Sequence, residues 1–128
     1  MKILCSGDFN CVISTLDKRV SKPVGIRKAS TIELKDWIKT HNLLDTWRYK
    51  NPDSFGPTWT NPSMKIQCRL DHLFVSNRPS NRIYESKIIP NIYSDHSAVV
   101  LSISFCEHES PRGPGFWKLT RCCRTRNM

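Results

Sequence analysis

The sequence predicts a single small α/β domain, and three observations predict it. Val99, Leu101, Ile103 and Phe105 are apolar while Ser102 and Ser104 fall between them, the two-residue period of a half-buried strand. Ile32, Leu34, Trp37 and Ile38 follow the capping-box pair Ser30 and Glu33 at helical spacing. Several shorter apolar runs are bounded by Gly, Pro and Asn, and their length suits strands. A chain of 128 residues holds one domain at most, though it is long enough to bury a core.

Taken in order, Lys2–Ser6 reads as a short buried strand that Gly7 ends. In extended backbone Asp8 and Asn10, two apart, face the same way. Residues 14–29 show no apolar period and carry Lys18, Arg19, Lys22, Arg27 and Lys28 around Pro23 and Gly25, so they read as a loop reaching for phosphates. The helix spans about 31–41, with Trp37 in the core. Thr58–Thr60 is a short strand, Asn61-Pro62-Ser63 turns back, and Ile66–Ser76 is one further strand. Asp71 sits inside it among apolar residues, where a carboxylate needs a donor or a cation; backbone amides or Arg69 are the ordinary suppliers. Arg78–Arg82 is a polar turn, Ile83–Ile89 a strand, and Asn91–Ser94 leads into Asp95-His96. After Cys106 the chain becomes Pro-, Gly- and Arg-rich, so residues 1–107 read as the folded part and 108–128 as a basic linker and tail.

Lys and Arg number 20 against 11 acids, a net charge of +9 with a pI near 9.5. That surplus suits a polyanion, nucleic acid before membrane, because no basic amphipathic helix stands out. No run is long enough to cross a bilayer. Six cysteines raise the question of a disulfide framework, but Met1–Ser6 is too short for a signal peptide. The expected location is therefore intracellular, nuclear or cytoplasmic, with free thiols. No CxxC pair with partner histidines is present, which argues against structural zinc. A Gly-x-Ser-x-Gly elbow and a P-loop are both missing, and His41, His72 and His108 read as bystanders.

The polar clusters at strand ends carry the chemistry: Gly7-Asp8-Phe9-Asn10, Arg69-Leu70-Asp71-His72 and Ser94-Asp95-His96. Phosphodiester hydrolysis needs a metal, a group that activates water and a donor to the phosphoryl oxygens. Asp95, with Asp8 and Asn10, is the candidate ligand set for a hard ion such as Mg2+ or Mn2+. His96 is the candidate phosphate contact, with Asp71 the acid that orients it and favours its charged form. Asp8 can activate water, and Asn10 can donate to the transition state.

These three motifs, with Leu73-Phe74-Val75-Ser76 after the second, resemble the endonuclease/exonuclease/phosphatase superfamily, which includes apurinic/apyrimidinic endonucleases and deoxyribonuclease I. Leu44-Asp45-Thr46-Trp47-Arg48, Thr58-Trp59-Thr60-Asn61-Pro62-Ser63 and Gly113-Pro114-Gly115-Phe116-Trp117-Lys118-Leu119 are similar to stretches of the endonuclease domain of LINE-type, non-LTR retrotransposons. The resemblance runs from residue 1 to about 119. It implies a two-sheet α/β sandwich of the deoxyribonuclease I kind, with mixed or antiparallel sheets, and Mg2+-dependent cleavage of DNA. By motif, Asp8 and Asn10 take the water-activating and transition-state roles, Asp71 supports His96, Asp95 binds metal, and His96 meets phosphate. Trp59 falls near the substrate in that comparison, where packing is its equally natural role.

Such a domain also opens with a strand bearing an asparagine, then a metal-binding glutamate and later a tyrosine. None has a counterpart here, so the chain corresponds to the C-terminal half, with the missing N-terminal half or a reverse transcriptase domain expected in the parent protein. An open sheet edge and an uncovered apolar face follow. The functions that fit are a Mg2+-dependent DNA endonuclease fragment of retroelement origin, a non-catalytic remnant that only binds nucleic acid, or a phosphatase of the same superfamily.

Overall fold

The computed structural model describes residues 3–20, 28–77 and 81–105. The expected tail at 108–128, Lys22 and Arg27 of the basic loop, and residues 78–80 of the polar turn lie outside them. Among the described residues every strand pairing is antiparallel. The fold is α/β, as the sequence predicts.

The first sheet has β6 (Asp71–Ser76) between β1 (Leu4–Asp8) and β3 (Leu43–Asp45). Leu73, Phe74 and Val75 are buried, so β6 is the central strand of the core. The first strand differs from expectation: it begins later and is mostly exposed, with Leu4 at 53%. Among the described residues only β6 pairs with it, so it forms an open edge, which is the liability expected of an edge strand.

Helix α1 (Lys28–Thr40) packs on this sheet. Leu34, Trp37 and Ile38 share one face and meet Cys11, Leu43, Phe9 and Phe74, as the 3.6-residue period requires. Two details depart from the sequence reading. Ile32 is 57% exposed, and Ser30 lies inside the helix, two residues past its first residue, so it is not the cap. Asn42, with φ 49°, ends the helix and its N–H reaches Lys39 O at 3.1 Å. β3 follows, and Asp45 caps α2 (Thr46–Lys50) by accepting from the N–H of Arg48 at 3.1 Å.

The second sheet has β5 (Ile66–Cys68) between β2 (Lys18–Val20) and β4 (Trp59–Thr60). Two corrections follow. Residues 14–20 are not loop: a 3-10 turn at Thr15–Asp17 leads into β2, where the Arg19 guanidinium lies 4.1 Å from the centre of the Phe55 ring. Ile66–Ser76 is not one strand but two in different sheets, broken at Arg69-Leu70. Arg69 N–H still follows the β2 register, donating to Asp17 O at 2.8 Å, and the break comes next, where the N–H groups of Leu70 and Asp71 turn to the Thr58 hydroxyl at 2.9 and 3.0 Å.

Arg69 is also the centre of a buried ionic cluster. Its guanidinium donates to both oxygens of Asp17 at 2.8 and 3.0 Å and to both of Asp45 at 3.0 and 2.7 Å. Asp17 is fully buried and takes a further ion pair from Arg48. Burial alone would raise the Asp45 carboxyl, but His72 and Arg69 hold it well below the usual carboxylate range. His72 Nδ1 faces Asp45 Oδ2 from 3.6 Å. The final pair, β7 (Asn81–Ile89) and β8 (Ala98–Phe105), is a hairpin with an irregularity between Ile83 and Glu85. Its connecting loop carries Asp95 and His96.

Candidate functional site

Antiparallel pairing of β1 with β6 makes Asp8 and Asp71 register partners, the last residue of one strand against the first of the other. The candidate residues do not all sit at the carboxyl ends of strands. Asp71 opens β6, and His96 precedes β8 by two residues; antiparallel pairing brings them to the edge where β1 ends.

Phe9 fixes the turn that follows Asp8. Its ring centroid lies 5.2 Å from Phe74 and 6.0 Å from His72, so the side chain is a peg in the core. Phe9 N–H donates to Leu70 O at 3.0 Å. Asn10 then adopts φ 51°, and its N–H donates to Asp8 Oδ1 at 2.8 Å. Asp8 and Asn10 are thus joined by a turn; they do not project from one face of an extended strand. His72, a bystander by sequence, is buried: its Nε2 is 3.0 Å from Cys11 O, and its ring stacks on Phe74. It ties the segment after Asn10 to β6.

His96 Nδ1 lies 2.8 Å from Asp71 Oδ2, and its Nε2 lies 4.0 Å from Asp8 Oδ2. One atom from each of Asp8, Asp71 and His96 falls within 4.8 Å of the others. The hydrogen bond to Asp71 raises His96 above its ordinary value; burial opposes this, and the charges of Asp71, Asp8 and Asp95 add to the rise. The imidazole is therefore biased toward its cationic form. Asp71 is satisfied by His96, not by Arg69, whose guanidinium is committed to Asp17 and Asp45.

Thr58, Trp59 and Thr60 join these parts. The buried Thr58 hydroxyl accepts from the N–H groups of Leu70 at 2.9 Å and Asp71 at 3.0 Å, and its carbonyl accepts from Ser97 N–H at 2.7 Å. Trp59 forms an isolated bridge with His96, and Thr60 N–H donates to Asp95 O at 3.3 Å. Asp95 is exposed, and its Oδ2 accepts from Trp59 Nε1 at 2.9 Å. This splint between Asp71 and Asp95-His96 is missed in the sequence, where only the Thr-Trp-Thr strand was legible. An open cleft of about 530 Å³ bordered by Phe55, Pro57, Thr60, Gln67 and Ser97 includes none of the three acids.

Three carboxylates around one imidazole leave the site with surplus negative charge, which would repel a phosphate diester unless a cation offsets it. Asp71 Oδ2 and His96 Nδ1 are committed to each other. Among the described residues Asp8 and Asp95 accept hydrogen bonds from neutral donors, the Asn10 N–H and the Trp59 indole. Hard, charged oxygens at the exposed rim suit a hard divalent ion; the residues close enough to share one are Asp8, Asp71 and His96, and Asp95 stands outside that group. Among the described residues Cys5, Cys11 and Cys68 are free thiols, and no helix is long and apolar enough to cross a membrane.

Residues 2–96, from the first strand through the Asp-His pair, match the model of the Endonuclease/Exonuclease/phosphatase family. The chain is also 30% identical over 104 residues to an uncharacterised 149 kDa protein of transposon TX1 from Xenopus laevis. That alignment takes in 80% of this chain and 8% of the relative, so the chain spans a small part of the length of the protein it matches.

Proposed function

The chain belongs to the Endonuclease/Exonuclease/phosphatase family, and from that premise we propose that it is part of a Mg2+-dependent DNA endonuclease of retroelement origin. Its larger parent protein supplies the N-terminal half of the domain or a reverse transcriptase domain, and works inside the cell. The observation that carries this reading is the Asp71–His96–Asp8 line, with one imidazole nitrogen held at 2.8 Å and the other facing a carboxylate across 4.0 Å.

In this reading, Asp71 holds the proton on His96 Nδ1, so that Nε2–H is directed outward as a donor to a phosphoryl oxygen. The 4.0 Å gap to Asp8 exceeds a hydrogen bond and suits a bridging water or substrate oxygen. Asp8 accepts a proton from the attacking water as the phosphorus–oxygen ester bond breaks, and Asn10 donates to the charge that develops. Asp95 and Asp8, with Asn10, are the residues that would hold Mg2+. When bound, the ion supplies charge neutralisation for the phosphoryl group and the leaving oxygen. The basic surplus of the chain suits DNA as the polyanion.

The test is nicking of supercoiled plasmid by the purified chain with Mg2+, beside EDTA and His96→Ala controls. Nicking abolished in both controls supports the reading. Folded protein that binds DNA in a salt-sensitive way without nicking favours a non-catalytic remnant, and turnover of a small phosphate ester with DNA left intact favours a phosphatase.

A further inference from the structure

We infer that Trp59 is a positioning residue for Asp95, acting through its indole N–H. The inference rests on the reading of Asp95 as a cation ligand. Its basis is the kind of donor each carboxylate near the site receives. Asp17 and Asp45 are paired with the Arg69 guanidinium, and Asp71 with the imidazole of His96. Each of those partners offsets the carboxylate's charge. Asp95 Oδ2 accepts instead from the neutral Trp59 Nε1 at 2.9 Å.

An indole N–H is a donor with no acceptor capacity and no formal charge. It orients the carboxylate while leaving the negative charge intact, and it leaves Oδ1 and a second lone pair of Oδ2 for another ligand. A lysine or arginine at the same place would orient Asp95 equally well and cancel the charge that a cation needs. The rest of the geometry keeps the indole on target. Trp59 pairs with Cys68 in β5 and bridges His96 on its other side, while Thr60 N–H holds the carbonyl of Asp95 at 3.3 Å. Backbone and carboxylate of Asp95 are therefore fixed from adjacent residues of one strand.

The experiment is Mn2+ binding to the full chain by calorimetry, comparing wild type, Trp59→Phe, Asp95→Ala and the double variant. Phenylalanine keeps the ring and the strand preference and loses only the N–H and part of the ring area. Trp59→Phe weakens Mn2+ binding about tenfold, the lower range for a hydrogen bond to a charged group. The double variant binds no worse than Asp95→Ala, because Trp59 acts through Asp95. In parallel, the Trp59 indole proton resonance of the metal-free wild type shifts upfield in Asp95→Ala, a signature independent of whether Trp59→Phe folds. Absence of Mn2+ binding by the wild type overturns the cation reading and this inference with it. Binding that Asp95→Ala abolishes but Trp59→Phe leaves unchanged, or an indole resonance indifferent to Asp95→Ala, overturns this inference alone.

Discussion

Replacing Arg69 with methionine removes the cation from between two carboxylates, and the structure sets the size of the effect. The guanidinium makes four hydrogen bonds, two to Asp17 and two to Asp45. Arg69 and Asp17 are essentially inaccessible to water, so neither acid can regain full solvation by a small side-chain movement. Asp17 keeps Arg48 and the Ser14 N–H at 3.1 Å, and Asp45 keeps the Arg48 N–H, so the loss is partial. Breaking a buried ion pair from one side typically costs about 3–5 kcal/mol. A domain of this size has only about 5–15 kcal/mol in total. With a urea dependence of about 2 kcal/mol per M, the unfolding midpoint falls by about 2 M. Far-UV circular dichroism against urea measures it. The deficit also depends on pH, with a definite sign. Asp45 is depressed below its unfolded value near 3.9, so its contribution is complete above about pH 4 and is lost as pH falls further. The curves of wild type and variant therefore converge in acid. A loss below about 1 kcal/mol at pH 7, the range of surface pairs, would refute the reading of Arg69 as the centre of a buried ionic cluster.

Two further outcomes follow from the site. In Asp71→Asn with EDTA present, His96 titrates closer to about 6.5 than in wild type, read from its ring resonances by NMR. Because the wild-type imidazole is raised, its stabilising effect is full below about pH 6.5 and fades as pH rises through the folded value, and the variant loses that dependence. Thr58→Val keeps the shape but strands the N–H groups of Leu70 and Asp71, costing about 1–3 kcal/mol in urea unfolding.

The parts legible in the sequence were those whose cause is local. The alternation at 99–105 identified β8, and Leu34, Trp37 and Ile38 identified the buried face of α1. The start of β1, the break at Arg69 and the ordering of residues 15–20 were not legible, because each depends on a partner far along the chain. Arg69 reads as an ordinary basic residue inside an apolar run; only folding brings it to Asp17 and Asp45. Ser30 and Glu33 match a capping box, yet the helix starts earlier, and the buried Thr31 hydroxyl donates to Val12 O at 3.3 Å. At the site, the motif residues Asp8, Asp71 and His96 meet at one edge, whereas Thr58 and the Trp59–Asp95 bond carried no spacing that a sequence could reveal.

The measurement that bears most directly on the central claim, that Asp71 and His96 act as one unit on a phosphodiester, is a double-mutant cycle of single-turnover nicking in Mg2+. The rates to compare are wild type, Asp71→Ala, His96→Ala and the pair. If Asp71 works only by orienting and charging His96, the double variant is no slower than His96→Ala. Losses that multiply in the double variant would show that the two side chains act independently, and would contradict the account.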